Sequence, residues 1–137
     1  MNLDNVYYNE SYNVMLRYPK NWIETSENRF VGEDGFVQVS LIRSDNNLHE
    51  VAISDAFHTL EPYGKNPQVI PIKIDNHNAR LILPQKHKKN NGEKLYQGSV
   101  IIKYEEPVEK NNILYNYLII WIDVNHIFSI INTIRIL

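Results

Sequence analysis

Five histidines are the residues best suited to acid/base or metal chemistry at neutral pH: His49, His58, His77, His87 and His126. None of them stands at i, i+2 or i, i+4 from another, so no two imidazoles are placed on one metal. There is no HExxH, no clustered Asp/Glu/His and no calcium-loop pattern. The closest pairing is Asp123 with His126, which can meet across a turn; the plainer reading is a turn aspartate beside a histidine near a helix cap. His58 is followed closely by Tyr63 and Gly64, and a His58–Tyr63 contact joined by Glu61 would make an acid/base group, against the simpler role of a histidine closing a helix end.

Other chemistries lack their residues. The chain has no cysteine, which removes disulfides, zinc thiolates, iron-sulfur clusters and thiol nucleophiles together. No serine sits in GxSxG or SxxK, and with five glycines there is no P-loop or dinucleotide fingerprint. Glu105, Glu106 and Glu109 are neighbours on one extended stretch, whereas glycosidase carboxylates face each other across a cleft; they read as exposed strand-edge charge. We therefore assign no catalytic residue, no cofactor and no metal from the sequence. Lys86, His87, Lys88, Lys89 and Lys94 form the strongest local field, either a solvated loop or a patch for an anionic polymer or an acidic protein.

These residues need a frame. With 137 residues, 43% hydrophobic and 22% charged, the chain suits a single domain over residues 1–137 with one real core. A net charge of -2 argues against nucleic acid, which calls for a basic excess. The greasiest run, residues 113–122, is broken by Asn116 and is too short for a membrane span. The opening residues have neither a basic nor an apolar signal region, so no signal peptide is read there. The abundance of Ile and Asn fits A/T-rich coding and a low-GC bacterium.

Leu48, Val51, Ala52, Ala56 and Leu60 follow helical spacing, with Asn47 and Glu50 as a capping box, and predict a helix over residues 48–61 before Pro62 and Gly64. Alternation predicts strands over 12–18, 29–31, 37–41, 69–74, 79–83, 99–104 and 114–123. Gly32-Glu33-Asp34-Gly35 and Asp75-Asn76-His77-Asn78 have turn chemistry, and Pro71 marks an edge strand. Tyr115, Tyr117 and Trp121 share a face with Ile119, fitting a core face or a docking surface. Residues 126–135 fit both alternation and helical spacing; a helix capped by Asp123 or Asn125, covering a greasy sheet, is preferred. The expected architecture is α+β, an α/β/α-type sandwich with a central mostly antiparallel sheet of about seven strands and two helices.

The order of Tyr18-Pro19-Lys20-Asn21-Trp22, the 32–39 meander, the helix ending in Pro62-Tyr63-Gly64, the strand over 78–84 and the segment 117–137 resembles PsbP-like domains. Residues 56–64 and 79–84 are similar to uncharacterised extracytoplasmic domains of low-GC Gram-positive bacteria. The resemblance implies an α/β sandwich with helices on a central antiparallel sheet and a binding or accessory role rather than a defined reaction; the favoured reading is a module at the cell surface that presents one sheet face or the loop from Lys86 to Lys94 to a protein or an anionic cell-wall polymer. The calcium- and manganese-related positions of photosynthetic members have no counterpart here, so no site is carried over. Two other functions stay open: a small enzyme, cytoplasmic or exported, using His58 or His126 as acid/base, and the sensor domain of a longer membrane-anchored regulator.

Overall fold

The computed structural model describes residues 2–85 and 96–137. In chain order its elements are β1 (Asn5–Asn9), β2 (Val14–Tyr18), β3 (Ile23–Ser26), β4 (Arg29–Gly32), β5 (Gly35–Ile42), α1 (Leu48–Ala56), β6 (Gln68–Ile74), β7 (His77–Leu83), β8 (Gln97–Lys110), β9 (Ile113–Asp123), α2 (Ile127–Ile131) and β10 (Arg135–Ile136). Seven strands form one antiparallel sheet in the order β3-β4-β5-β9-β8-β7-β6, and three form a second in the order β1-β2-β10. The fold is α+β, as its alternating strands and short helices predict.

Alternation on β9 separates two cores. Tyr117 and Ile119 point to one side, where Leu48, Val51, Ala52 and Ala56 of α1 pack against them with Ile82 and Ile101. Leu118, Ile120 and Ile122 point to the other, where Val14 and Leu16 of the small sheet and Ile127, Ile130 and Ile134 of the C-terminal segment cover them. Tyr117 and Ile119 are thus core, not a docking face; Tyr115 packs against the opposite core, beyond the register shift between Lys103 and Val108. Pro71 lies on β6, an edge strand, where a missing N–H breaks no ladder. Asp75 and Asn76 take the left-handed conformation in the turn joining Ile74 to His77.

Several boundaries differ from expectation, and the strand expected over 99–104 runs from Gln97 to Lys110, continuing past the register shift between Lys103 and Val108. The first helix ends at Ala56 instead of residue 61: Glu61 adopts φ 49°, Leu60 is 83% exposed, and the chain turns so that Tyr63 enters the core. Its start follows the sequence, with Asn47 Oδ1 accepting from Glu50 N at 2.9 Å and Asn47 Nδ2 donating to Glu50 Oε1 at 2.7 Å. The second helix covers Ile127–Ile131 instead of 126–135, and its N-cap is His126, without a side-chain cap bond. Thr133 Oγ1 donates back to Ile130 O at 2.7 Å, the helix stops, and Arg135 and Ile136 pair with Met15 and Val14 as β10. Both periodicities of this segment are therefore used in succession. The strand expected first, over 12–18, belongs to the second sheet, where β1 pairs with it; β1 and β3 are strands the alternation did not reveal.

Candidate functional site

The pairing of Asp123 with His126 forms. β9 delivers Asp123 at its last residue and the following turn, closed by His126 N donating to Asp123 O at 3.1 Å, brings the imidazole back over the carboxylate. His126 Nδ1 lies 2.7 Å from Asp123 Oδ2, and Phe36 N donates to Asp123 Oδ1 at 3.0 Å. Asp123 is 0% and His126 4% exposed. A buried carboxylate is tolerable only with such donors.

Two partners complete the cluster. The β4–β5 turn places Asp34 so that its Oδ2 lies 3.3 Å from His126 Nε2 and its Oδ1 accepts from Trp22 Nε1 at 2.8 Å. The Trp22 ring meets the imidazole edge-on, centroids 4.9 Å apart. The two glycines of the turn allow this approach: a Cβ at Gly35 would lie 2.1 Å from Asp123 Oδ1, and one at Gly32 would lie 2.2 Å from Trp22 Cδ1. Asp34, with its side chain 57% exposed, faces an open cleft of about 490 Å³ lined also by Asn2, Pro19, Lys20, Asn21 and His126. The Trp22 indole N–H, with a further contribution from His126, holds the Asp34 carboxyl below the usual carboxylate range.

Chemically this is a carboxylate–imidazole–carboxylate bridge. A neutral imidazole donates from one nitrogen only, whereas the cation donates from both and satisfies both carboxylates. Either form has its two nitrogens directed at this chain's own oxygens, and a general base needs one nitrogen within reach of a substrate proton. The group that reaches the cleft is Asp34. Sequence reading missed Asp34 and Trp22; the signal that could have found them is the glycine pair flanking a two-residue turn, a mark of close approach.

The other candidates are placed differently. Tyr63 is buried and bonded to groups other than His58: its hydroxyl donates to Asp55 Oδ2 at 2.5 Å and lies 2.7 Å from Ser99 Oγ, whose own proton can then go to the phenol oxygen. Burial raises both the Tyr63 phenol and the Asp55 carboxyl above their ordinary values. His58 is exposed, and its Nδ1 accepts from Leu60 N at 3.1 Å, a turn-closing role. Glu105, Glu106 and Glu109 are exposed on β8 beyond the part that β7 pairs with. Lys86, His87, Lys88, Lys89 and Lys94 lie outside the described residues.

Among the described residues no group of three or more His, Cys, Asp or Glu side chains is arranged to hold a metal ion. No helix among them is long and apolar enough to cross a membrane. Comparison with protein-family models, with curated proteins and with solved structures finds no match.

Proposed function

We propose that this chain is a non-catalytic interaction module of the bacterial envelope, of PsbP-like type, that binds a protein or an anionic cell-wall polymer. The observation that carries this reading is the commitment of His126: the buried histidine has Nδ1 on Asp123 and Nε2 on Asp34, so it ties the β4–β5 turn to the start of α2. Tyr63, the other buried polar candidate, is likewise spent on Asp55 and Ser99. The groups best suited to acid/base chemistry thus act as internal ties, and the cleft at Asp34 is open, as suits recognition of a partner's surface more than enclosure of a small substrate.

The test is co-sedimentation of the purified chain with cell walls and with envelope membranes from a low-GC Gram-positive bacterium. Saturable retention by either fraction, unchanged in a stably folded His126→Gln variant, is the expected result. Retention by neither fraction overturns the proposal, as does a turnover that His126→Gln abolishes without loss of fold.

A further inference from the structure

The α1 side of the large sheet is only partly covered, and beside the start of α1 what stays open is cationic. Arg80 on β7 pairs directly with Ile101 on β8, and Ile101 belongs to the core beneath α1, so Arg80 points to that side. Asn78 and Lys103, two residues along their strands, share it. Together with Asn47, Leu48 and His49 at the start of α1 they line an open cleft of about 480 Å³. Lys73, exposed on β6 and paired with Asn78, stands on the same face.

Arg80 is under-satisfied where it stands. Its Nη1 donates to Ala79 O at 3.1 Å, while its Nε is buried without a hydrogen-bond partner. Among the described residues neither Arg80 nor Lys103 forms an ion pair. Glu50, on the first turn of α1, is held by Asn47. A buried donor left unmade is costly. The bond already made uses Nη1, which leaves the Nε–Nη2 edge, the fork that matches two oxygens of an oxyanion. Turning that edge into the cleft gives up at most the single Nη1–Ala79 O bond, since none exists at Nε.

We propose that this cleft binds a phosphate ester, with the Arg80 fork on two phosphate oxygens and Lys103 and His49 on the remaining charge. A tetrahedral phosphate, monoester or diester, offers its oxygens in several directions and so matches converging donors better than a planar lone carboxylate does. The assignment names a ligand class for the interaction module proposed above and rests on that reading only in taking the partner to be anionic.

The experiment is an NMR titration that follows backbone amides and arginine Nε–H signals with glycerol 3-phosphate, inorganic phosphate and poly(glycerol phosphate), against acetate and chloride at equal ionic strength. The expected result is saturable shifts confined to Arg80, Lys103 and residues 47–49 with the phosphate probes. Arg80→Gln should weaken binding about tenfold or more, the scale of a lost charge-assisted pair, and Lys103→Gln or His49→Gln several-fold. Lys103 and His49 are exposed, so those variants keep the test sharp if Arg80→Gln fails to fold. Tighter binding of the polymer assigns the site to chain phosphodiesters, tighter binding of glycerol 3-phosphate assigns it to a small ester, and equal or tighter binding of inorganic phosphate overturns the ester assignment. Equal response to acetate or chloride, shifts spread to Lys20 and Lys110, or unchanged affinity in Lys103→Gln overturns the site. If Lys103→Gln is still retained by envelope while binding glycerol 3-phosphate no differently from wild type, this inference falls and the interaction module stands. If glycerol 3-phosphate binds as described but nothing is retained by envelope, the site stands and the module reading falls.

Discussion

Asp123→Ala tests whether the Asp123–His126–Asp34 bridge holds the fold or decorates it. The wild-type carboxylate is fully buried and receives Phe36 N at 3.0 Å and His126 Nδ1 at 2.7 Å. Removing it strands a part-buried backbone N–H and a buried imidazole, a loss of about 2–5 kcal/mol by the cost of leaving two such donors without their acceptor. A domain of this length carries roughly 7–20 kcal/mol in all, so the loss is a large share of its stability. The midpoint of thermal unfolding should fall by roughly 10–20 °C. Asp34→Ala breaks a longer contact to His126 at a half-exposed carboxylate but also removes the acceptor of the buried Trp22 indole N–H, and should cost about 1–2 kcal/mol, less than Asp123→Ala. Asp123→Asn should fall between, because the amide oxygen still accepts from Phe36 N. Gly35→Ala offers an independent route: Gly35 does not require a left-handed backbone, so the methyl group acts only by its overlap with Asp123 Oδ1 and His126 Nδ1. It should destabilise by about 2–4 kcal/mol without deleting any polar atom. Urea unfolding followed by circular dichroism and by Trp22 fluorescence measures all four variants. If Asp123→Ala lies within about 1 kcal/mol of wild type, or Asp34→Ala costs as much as Asp123→Ala, the bridge is not what anchors α2, and the reasoning fails.

Three further outcomes follow from the buried polar groups. Tyr63→Phe should cost about 1–2 kcal/mol by leaving the Asp55 carboxyl without its phenol donor, seen as a lower urea midpoint. The Asp55 pKa is raised by burial, so the folded state binds more protons than the unfolded one; this contribution is full below about pH 3.8 and is lost as pH rises through the folded value. Asp34, held low by Trp22, has the opposite sign: its contribution is present above the unfolded value and lost as pH falls, so Asp55→Asn and Asp34→Asn should tilt the acid limb of a stability–pH curve in opposite directions. At the alkaline end burial lifts the Tyr7 phenol to about 12 and raises Tyr63 and Tyr104 as well. Tyr7 alone should then remove up to about 3 kcal/mol as pH rises from 10 to 12, read as unfolding that coincides with phenolate absorbance, and Tyr7→Phe should flatten that limb.

What could be read in advance depended on how far apart the interacting residues lie in the chain. The start of α1 was legible because Asn47 and Glu50 sit three residues apart, and the Asp75–Asn76 turn because the residues themselves prefer the conformation they adopt. Asp123 and His126 were legible as a pair for the same reason. Asp34 and Trp22 were not, because they reach His126 only once β5 has paired with β9 across the middle of the sheet. β1 was hidden because Asn5-Val6-Tyr7-Tyr8-Asn9 buries only Tyr7, whose hydroxyl donates to Asn28 at 2.8 Å, and a single anchor makes no alternation. The second helix was overextended because Ile127, Ile130, Ile131 and Ile134 satisfy helical spacing while Ile134 and Ile136 satisfy strand spacing. The Thr133 back-bond to Ile130 O and the free edge of β2, available to β10, decide where one gives way to the other.

The same geometry decides how the cationic cleft should be understood. Helix α1 has nine residues and is about 14 Å long, while β8 has fourteen and runs about 46 Å. A helix of that length cannot cover its face of the sheet, and the uncovered part must be polar to meet water. Solvation alone would account for exposed Lys73, Asn78 and Lys103. It does not account for Arg80, whose Nε is withdrawn from solvent and left without an acceptor, when a shorter polar side chain at that position would serve a solvated surface at no such cost. Turned outward, its free Nε–Nη2 edge would meet the anion proposed for this cleft, and the response to phosphate probes separates a binding face from a merely wet one.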